Sequence, residues 1–331
     1  MTSITLTAPA KVNLFLKILN KRKDGCHNLI TLFERVSLAD EIKISKIPHG
    51  IKLKSDKFIT ADPKDNLAYK AAELILRYIR TDKGSKGVNI KVKKGKVCGG
   101  VDIRIRKNIP IAAGLGGGSS DAASVLMGIN KLYSLKLRTI ELVKLAKKLG
   151  ADVPFFVLEA PFAIGRSIGD KLEKLNTNIC LWHIIVSPGP KMSTKEMYDA
   201  FDVSTKDLIP RLRSGSSTEL LSKYLTTDFA DDKINRPLRR SMDFNAAESM
   251  LYNNLEEIVI SKKPVTGMIL ERLASSASRR SIVAGSGPSV FCLCLSRKEA
   301  ITARKKLLGS LPARDRNGWQ IFIAKTEYQK I

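Results

Sequence analysis

The chain has 331 residues, enough for a large core and two domains of ordinary size, and its 44% hydrophobic content is that of a globular protein. No apolar run is long enough to cross a bilayer, and the start lacks the basic-then-apolar layout of a signal peptide, so a cytoplasmic protein is expected. The net charge of +25 suits polyphosphate substrates as well as nucleic acid, and it speaks to association rather than to fold.

Ile4 and Leu6 alternate with threonines, and apolar residues alternate again after Ala8-Pro9-Ala10. Residues 4–18 therefore read as strand, turn and strand, with Lys11, Asn13, Phe15 and Lys17 on one face. Asp24-Gly25 marks a hairpin turn before Cys26 and His27. Residues 40–45 and 51–54 alternate as strands around the turn Pro48-His49-Gly50, and Asp65 is placed as the N-cap of an amphipathic helix running to about Arg80. Residues 83–87 read as a loop, and 88–92 and 101–106 as strands. The alternating lysines of 91–96 are a solvated strand face, without the interleaved aromatics of a nucleic-acid surface.

Residues 107–126 hold a strand end, a glycine loop and a helix start. Gly114, Gly116, Gly117 and Gly118 lack Cβ atoms, so the backbone can take positive φ and turn its N–H groups towards one small anion. Ser119 and Ser120 suit an N-cap, and Ala122, Val125, Leu126, Ile129 and Leu132 follow at helical spacing. The partial positive charge and unpaired N–H donors of a helix start make phosphate the expected ligand. The loop is not a Walker loop, which ends in Gly-Lys-Ser/Thr, and not a dinucleotide fingerprint, which needs a third glycine where Ser119 stands.

A helix from Thr139 is read as ending at Gly150. Asp152 then precedes a Pro-Phe-Phe stretch read as a strand, an apolar neighbourhood that favours a general base. Residues 179–187 form a buried strand with His183 as a satisfied core histidine. After the turn Pro188-Gly189-Pro190, Ser193-Thr194-Lys195-Glu196 is a capping box opening a helix through Tyr198 and Phe201. Residues 203–243 are polar with poor periodicity and read as loops and short helices. Asn253-Asn254 opens another helix, and a strand, the turn Gly285-Ser286-Gly287 and a strand occupy 281–291. A helix over 298–308 and a strand over 319–325 close an alternating pattern. Three histidines without HExxH and five scattered cysteines without CxxC leave no zinc site or redox pair, so reduced thiols are expected.

Residues Pro110 to Ala123 resemble the second motif of the GHMP kinases, the family of galactokinase, homoserine kinase and mevalonate kinase, whose loop wraps the phosphates of ATP. Pro9-Ala10-Lys11-Val12-Asn13-Leu14 resembles the family's first motif, Gly150-Ala151-Asp152-Val153-Pro154-Phe155 its catalytic segment, and residues 281–291 its third motif, all in the family's order. The resemblance implies an α+β, two-domain GHMP kinase fold. A ribosomal-protein-like α/β domain would span 1–165 and a ferredoxin-like α/β domain 166–331, with the site in the cleft between.

It further implies a small-molecule kinase with ATP and Mg²⁺ as cofactors. Lys107, Pro110, Ala113, Gly114, Leu115, Gly116, Gly117, Gly118, Ser119 and Ser120 would hold the phosphates, with Asn66 near the base. Asp152 would be the catalytic base, oriented by Lys11. In the branch of the family acting on a cytidine diphosphate sugar alcohol of non-mevalonate isoprenoid synthesis, the substrate would meet Asn13, Cys26, His27, Thr194, Tyr198, Gly285, Ser286 and Gly287. That branch carries a tyrosine, stacked on cytosine, where Cys26 stands. The thiol removes that stacking, so Cys26 is expected to pack on the base edge with weakened affinity, and Tyr198 remains as the platform. A monomer or weak homodimer is expected, with no nucleic-acid or membrane partner. Two alternatives stay open. Another GHMP kinase, of homoserine or mevalonate type, shares the loop but needs no His27, Thr194 and Tyr198 in those places. A basic nucleic-acid-binding module accounts for the charge but leaves Lys11, Asp152 and the 285–287 turn unexplained.

Overall fold

The structure is a computed structural model that describes residues 2–80, 92–93, 96–97, 99–189, 193–213, 242–312 and 318–328. The loop read over 83–87, most of the strand read over 88–92, Pro190 and residues 214–241 lie outside these.

Two long strands, β1 (Ser3–Lys21) and β2 (His27–Ile47), form an antiparallel hairpin that turns at Gly25, φ 84°. The expected break near Pro9 is corrected: β1 is continuous, and the register shifts between Pro9 and Ala10. A bulge is where a strand tolerates a residue without an N–H. β3 (Ile51–Ser55) pairs parallel with β6 (Gly100–Arg106), while β4 (Val92–Lys93) and β5 (Lys96–Val97) form a separate short ribbon. β7 (Phe162–Ser167) pairs with β2 and with β8 (Lys171–Lys174). The expected domain boundary at 165 thus falls inside a strand of the first sheet, whose next strand, β8, runs on to Lys174. A two-residue strand, β10 (Tyr252–Asn253), later returns to pair parallel with Phe15 and Leu16 of β1.

Helices Leu67–Arg80 and Gly117–Leu132 cover one face of this sheet. Ala71, Ile75 and Ile79 pack with Leu126 and Ile129 over Ile42, Ile44 and Ile103. The other face of β1 and β2 meets the second sheet, where Val12, Leu14 and Leu32 share a core with Ile185, Phe291 and Leu293. Residues 8–18 of β1 are therefore buried on both faces.

The second sheet orders its strands β11 (Ser281–Val283), β12 (Val290–Cys294), β9 (Trp182–Ser187), β13 (Gln320–Lys325), all antiparallel. Helices Val265–Ala277 and Arg297–Ser310 back it through Ile269, Leu273, Ala303 and Leu307. The βαββαβ order is that of a ferredoxin-like domain, as expected.

Four local readings are corrected. Residues 153–157 are a short helix, Val153–Val157, with Pro154 in the first turn, where a missing N–H costs nothing. The helix Thr139–Ala146 stops before Gly150. Asn66, not Asp65, caps the first long helix, its Oδ1 accepting from the Ala68 N–H at 2.9 Å. Helix Thr194–Arg213, whose start has Ser193 Oγ accepting from the Glu196 N–H, carries helical structure through 203–213. His183 is buried in the core with Nε2 3.0 Å from Glu34 Oε2, but its Nδ1 has no hydrogen-bond partner among the described residues, so it is a core histidine only half satisfied.

Candidate active site

On the face of β1 and β2 turned away from the second sheet lies a cavity of about 790 Å³, walled by the β1–β2 hairpin, the glycine loop, Asn66, Asp152, the helix beginning at Thr194 and Gly285 and Ser286 of the second domain's glycine turn. The loop enters it from β6. Ala112, Gly114 and Gly116 lie in the left-handed region at φ 50°, 80° and 70°. Helix Gly117–Leu132 is capped by Gly116 with no side-chain bond. Ser119 and Ser120 are therefore first-turn residues rather than caps, and the helix keeps its first N–H donors for a ligand. Ser120 is fully buried, and its Oγ has no hydrogen-bond partner among the described residues.

Close contact explains two of the glycines. A Cβ on Gly116 would stand 2.9 Å from Lys11 Cγ, and one on Gly114 would stand 2.1 Å from the Ala284 carbonyl oxygen. The Lys11 N–H donates to the Leu115 carbonyl at 3.0 Å, which ties the loop to β1.

Lys107 lies beneath the loop and is buried, its ammonium shared between Asp40 and Asp121, the latter at 2.8 Å. Asp40 Oδ1 also accepts the N–H groups of Asn108 and Ile109 at 2.6 and 2.8 Å. Burial pushes the Asp121 carboxyl up to about 7, against the pull of Lys107, and its Oδ1 has no hydrogen-bond partner among the described residues. Burial works against the charge of Lys107, but the two carboxylates outweigh it and raise its pKa. The lysine expected to hold phosphate is thus committed to two carboxylates and braces the loop from below.

At the cavity floor, Lys11 Nζ donates to Asn13 Oδ1 at 2.6 Å and stands 3.6 Å from Asp152 Oδ2. Asn13 Nδ2 donates to Thr31 Oγ1 at 2.7 Å, and Thr31 Oγ1 donates to the Phe15 carbonyl at 2.7 Å. This chain of bonds fixes the ammonium over the Phe33 ring, which stacks on Phe155 at 4.9 Å. Asp152 precedes the short helix without capping it by its side chain, and its carboxylate is 34% exposed. It sits beside a cation and open to the cavity, not in the apolar setting expected from Pro-Phe-Phe.

The far end is aromatic. His27 packs tilted against the Tyr198 ring at 5.1 Å and meets Phe201 edge-on at 6.4 Å. Burial pushes the Tyr198 phenol up, and the nearby negative charge of Asp152 adds to the shift. Cys26 lies exposed on the same wall. Thr194 Oγ1 and Ser286 Oγ, 3.0 Å apart, join the second domain's helix to its glycine turn, whose Gly285 packs over Lys11 and Asn13. One cavity thus brings together an anion cradle, a carboxylate beside an ammonium, and a ring-lined recess.

Residues 66–160 match the family model described as the GHMP kinases N terminal domain. A 4-diphosphocytidyl-2-C-methyl-D-erythritol kinase of Geobacter metallireducens is 36% identical, over 94% of this chain and 96% of its own length. Another of that description, from Pelobacter propionicus, is 36% identical over 98% and 100%. The chain belongs to this GHMP kinase family. A crystal structure of 4-(cytidine 5'-diphospho)-2C-methyl-D-erythritol kinase, 29% identical, aligns over 97% of this chain and 98% of its own with a TM-score of 0.69. A Leishmania major mevalonate kinase in complex with R-mevalonate, 14% identical at TM-score 0.69, shares the fold.

This GHMP kinase also holds its site with residues that the sequence did not single out. Asp40 and Asp121 pin Lys107. Asn253 Nδ2 donates to the Val283 and Gly285 carbonyls at 2.9 and 2.7 Å, fixing the glycine turn. Asn254 Oδ1 accepts from the Ile18 N–H at 2.8 Å, so the Asn-Asn pair not only precedes a helix but joins the turn to β1.

Proposed function

We propose that the chain transfers the γ-phosphoryl group of ATP to the 2-hydroxyl of 4-diphosphocytidyl-2-C-methyl-D-erythritol, in non-mevalonate isoprenoid precursor synthesis. The observation that carries this is the Lys11–Asp152 pair, placed between the glycine loop and the His27–Tyr198 recess. Phosphoryl transfer asks mainly for positioning and charge neutralisation. The loop and the helix start at Gly117 hold the phosphates of ATP, with Asn66 and Pro110 at the nucleotide end. Asp152 accepts the proton of the attacking hydroxyl, and Lys11, steered by Asn13, orients the carboxylate and steadies the charge that develops on the transferred group.

Asp121, which lines the cavity and whose Oδ1 has no hydrogen-bond partner among the described residues, offers an oxygen ligand of the kind a magnesium ion takes and would hold it. When bound, magnesium neutralises charge on the β and γ phosphates. Among the described residues no helix is long and apolar enough to span a membrane, and four cysteines are free thiols. The thiols suit the reducing cytoplasm. Both halves of the cavity come from one chain, which suits a monomer or a weak homodimer.

The purified protein is incubated with ATP, Mg²⁺ and one of three acceptors, and ADP release is followed. Turnover with 4-diphosphocytidyl-2-C-methyl-D-erythritol alone is expected. Turnover with homoserine or mevalonate instead sinks the assignment. Asp152→Asn should lower kcat by about a hundredfold or more while leaving ATP affinity within about twofold, as removal of a general base does.

A further inference from the structure

His27 does not stand alone on the cavity wall. Its Nε2 lies 2.6 Å from Asp202 Oδ1, while the other oxygen of Asp202 receives the ammonium of Lys21. Lys21 and His27 flank the first domain's hairpin turn, and Asp202 comes from helix Thr194–Arg213 of the second domain. The His27 ring is 5% exposed at its side chain and is gripped by Tyr198 and Phe201 from that same helix. Burial alone would raise the Asp202 carboxyl, but the hydrogen bonds from Lys21 and His27 outweigh it and hold it below the ordinary range.

A carboxylate can only accept, so Nε2 must carry the ring proton. In the neutral imidazole that leaves Nδ1 as the acceptor, on a residue that lines the cavity. At the position where cytosine carries an amino group, uracil carries a carbonyl oxygen. An acceptor matches the first and repels the second.

We infer that Asp202 is a specificity-determining positioning residue: by fixing the His27 tautomer it makes the site read the amino group of a cytosine base and reject uracil. The inference rests on the cytidyl kinase reading above. It also says what Lys21 does there, which is to orient Asp202 and keep it ionised.

The test compares kcat/KM for 4-diphosphocytidyl-2-C-methyl-D-erythritol and its uridine counterpart in the wild type, Asp202→Asn and Asp202→Ala. Nitrogen NMR of the histidine rings is recorded on the ligand-free protein, with His27→Ala identifying the signal. The wild type should show His27 protonated at Nε2 and should prefer cytidine by about tenfold to a hundredfold, the range expected for one matched against one unmatched polar contact. In Asp202→Asn, Lys21 can only donate and so holds the amide oxygen, which turns the amide nitrogen towards Nε2. The ring proton then moves to Nδ1, and the preference should drop at least tenfold, chiefly through KM. Asp202→Ala, with neither tautomer fixed, should fall between. An unchanged preference in a folded, ATP-binding Asp202→Asn overturns the inference. So does a wild-type His27 protonated at Nδ1, which is read even where the variants fail to fold. Wild-type protein that turns over neither nucleotide substrate overturns instead the kinase reading on which the inference stands.

Discussion

Lys17 is fully buried in β1, and burial lowers its pKa to about 8 from 10.5. A lysine so depressed loses its proton in the fold at a lower pH than in the unfolded chain. Between those two values the unfolded state binds more protons, so its contribution to stability rises with pH. Denaturant midpoints of the wild type should climb relative to those of Lys17→Met as pH goes from about 8 to about 10.5, and parallel curves would refute the burial argument. Cys26 gives a second residue-scale prediction. A ring restored by Cys26→Tyr should lower KM for the cytidyl substrate by about fivefold, corresponding to roughly 1 kcal/mol of stacking; an unchanged or higher KM would show that Cys26 costs nothing. Residues whose chemistry is local were legible in the sequence: Lys11 and Asn13 share a strand face, and Gly114 and Gly116 take the positive φ expected of the loop. The Lys107 clamp was not, because Asp40 lies 67 residues away, and no short-range pattern marks which carboxylate a buried ammonium will find.

At the scale of elements, the glycine loop and the 285–287 turn pack back to back. Gly114 combines φ 80° with a neighbouring carbonyl 2.1 Å from any added Cβ, whereas Gly118 has nothing within 4 Å and lies inside a helix. Gly114→Ala should therefore cost more than about 1 kcal/mol and reduce kcat/KM by pushing the two loops apart, while Gly118→Ala should leave the thermal midpoint unchanged or slightly higher. Equal midpoints for the two variants would count against the close approach. The existence of most elements could be read from periodicity. What failed were junctions where two signals competed. Val153–Val157 is rich in strand-forming residues, yet it is a helix because Pro154 suits a first turn and Phe155 must reach Phe33. Ser119 and Ser120 were good caps for a helix that Gly116 had already begun.

For the whole molecule, the charge of +25 bears on encounter with substrate. Both ATP and the cytidyl substrate are polyanions, so kcat/KM should fall severalfold as ionic strength rises from about 0.01 to 0.15 M, with kcat nearly constant. A flat salt profile would assign the charge to solubility alone. The two-domain plan could be read from motif order, but the boundary could not, since the first sheet takes strands from residues 162–174 and again from 252–253. That late return has a consequence on the ribosome. Phe15 and Leu16 leave the exit tunnel early, but their parallel partners Tyr252 and Asn253 are made more than two hundred residues later. At typical elongation rates the interval is roughly 10 to 50 seconds. Through all of it the β1 edge at Phe15 and Leu16 lacks its native partner and is open to pairing with another chain.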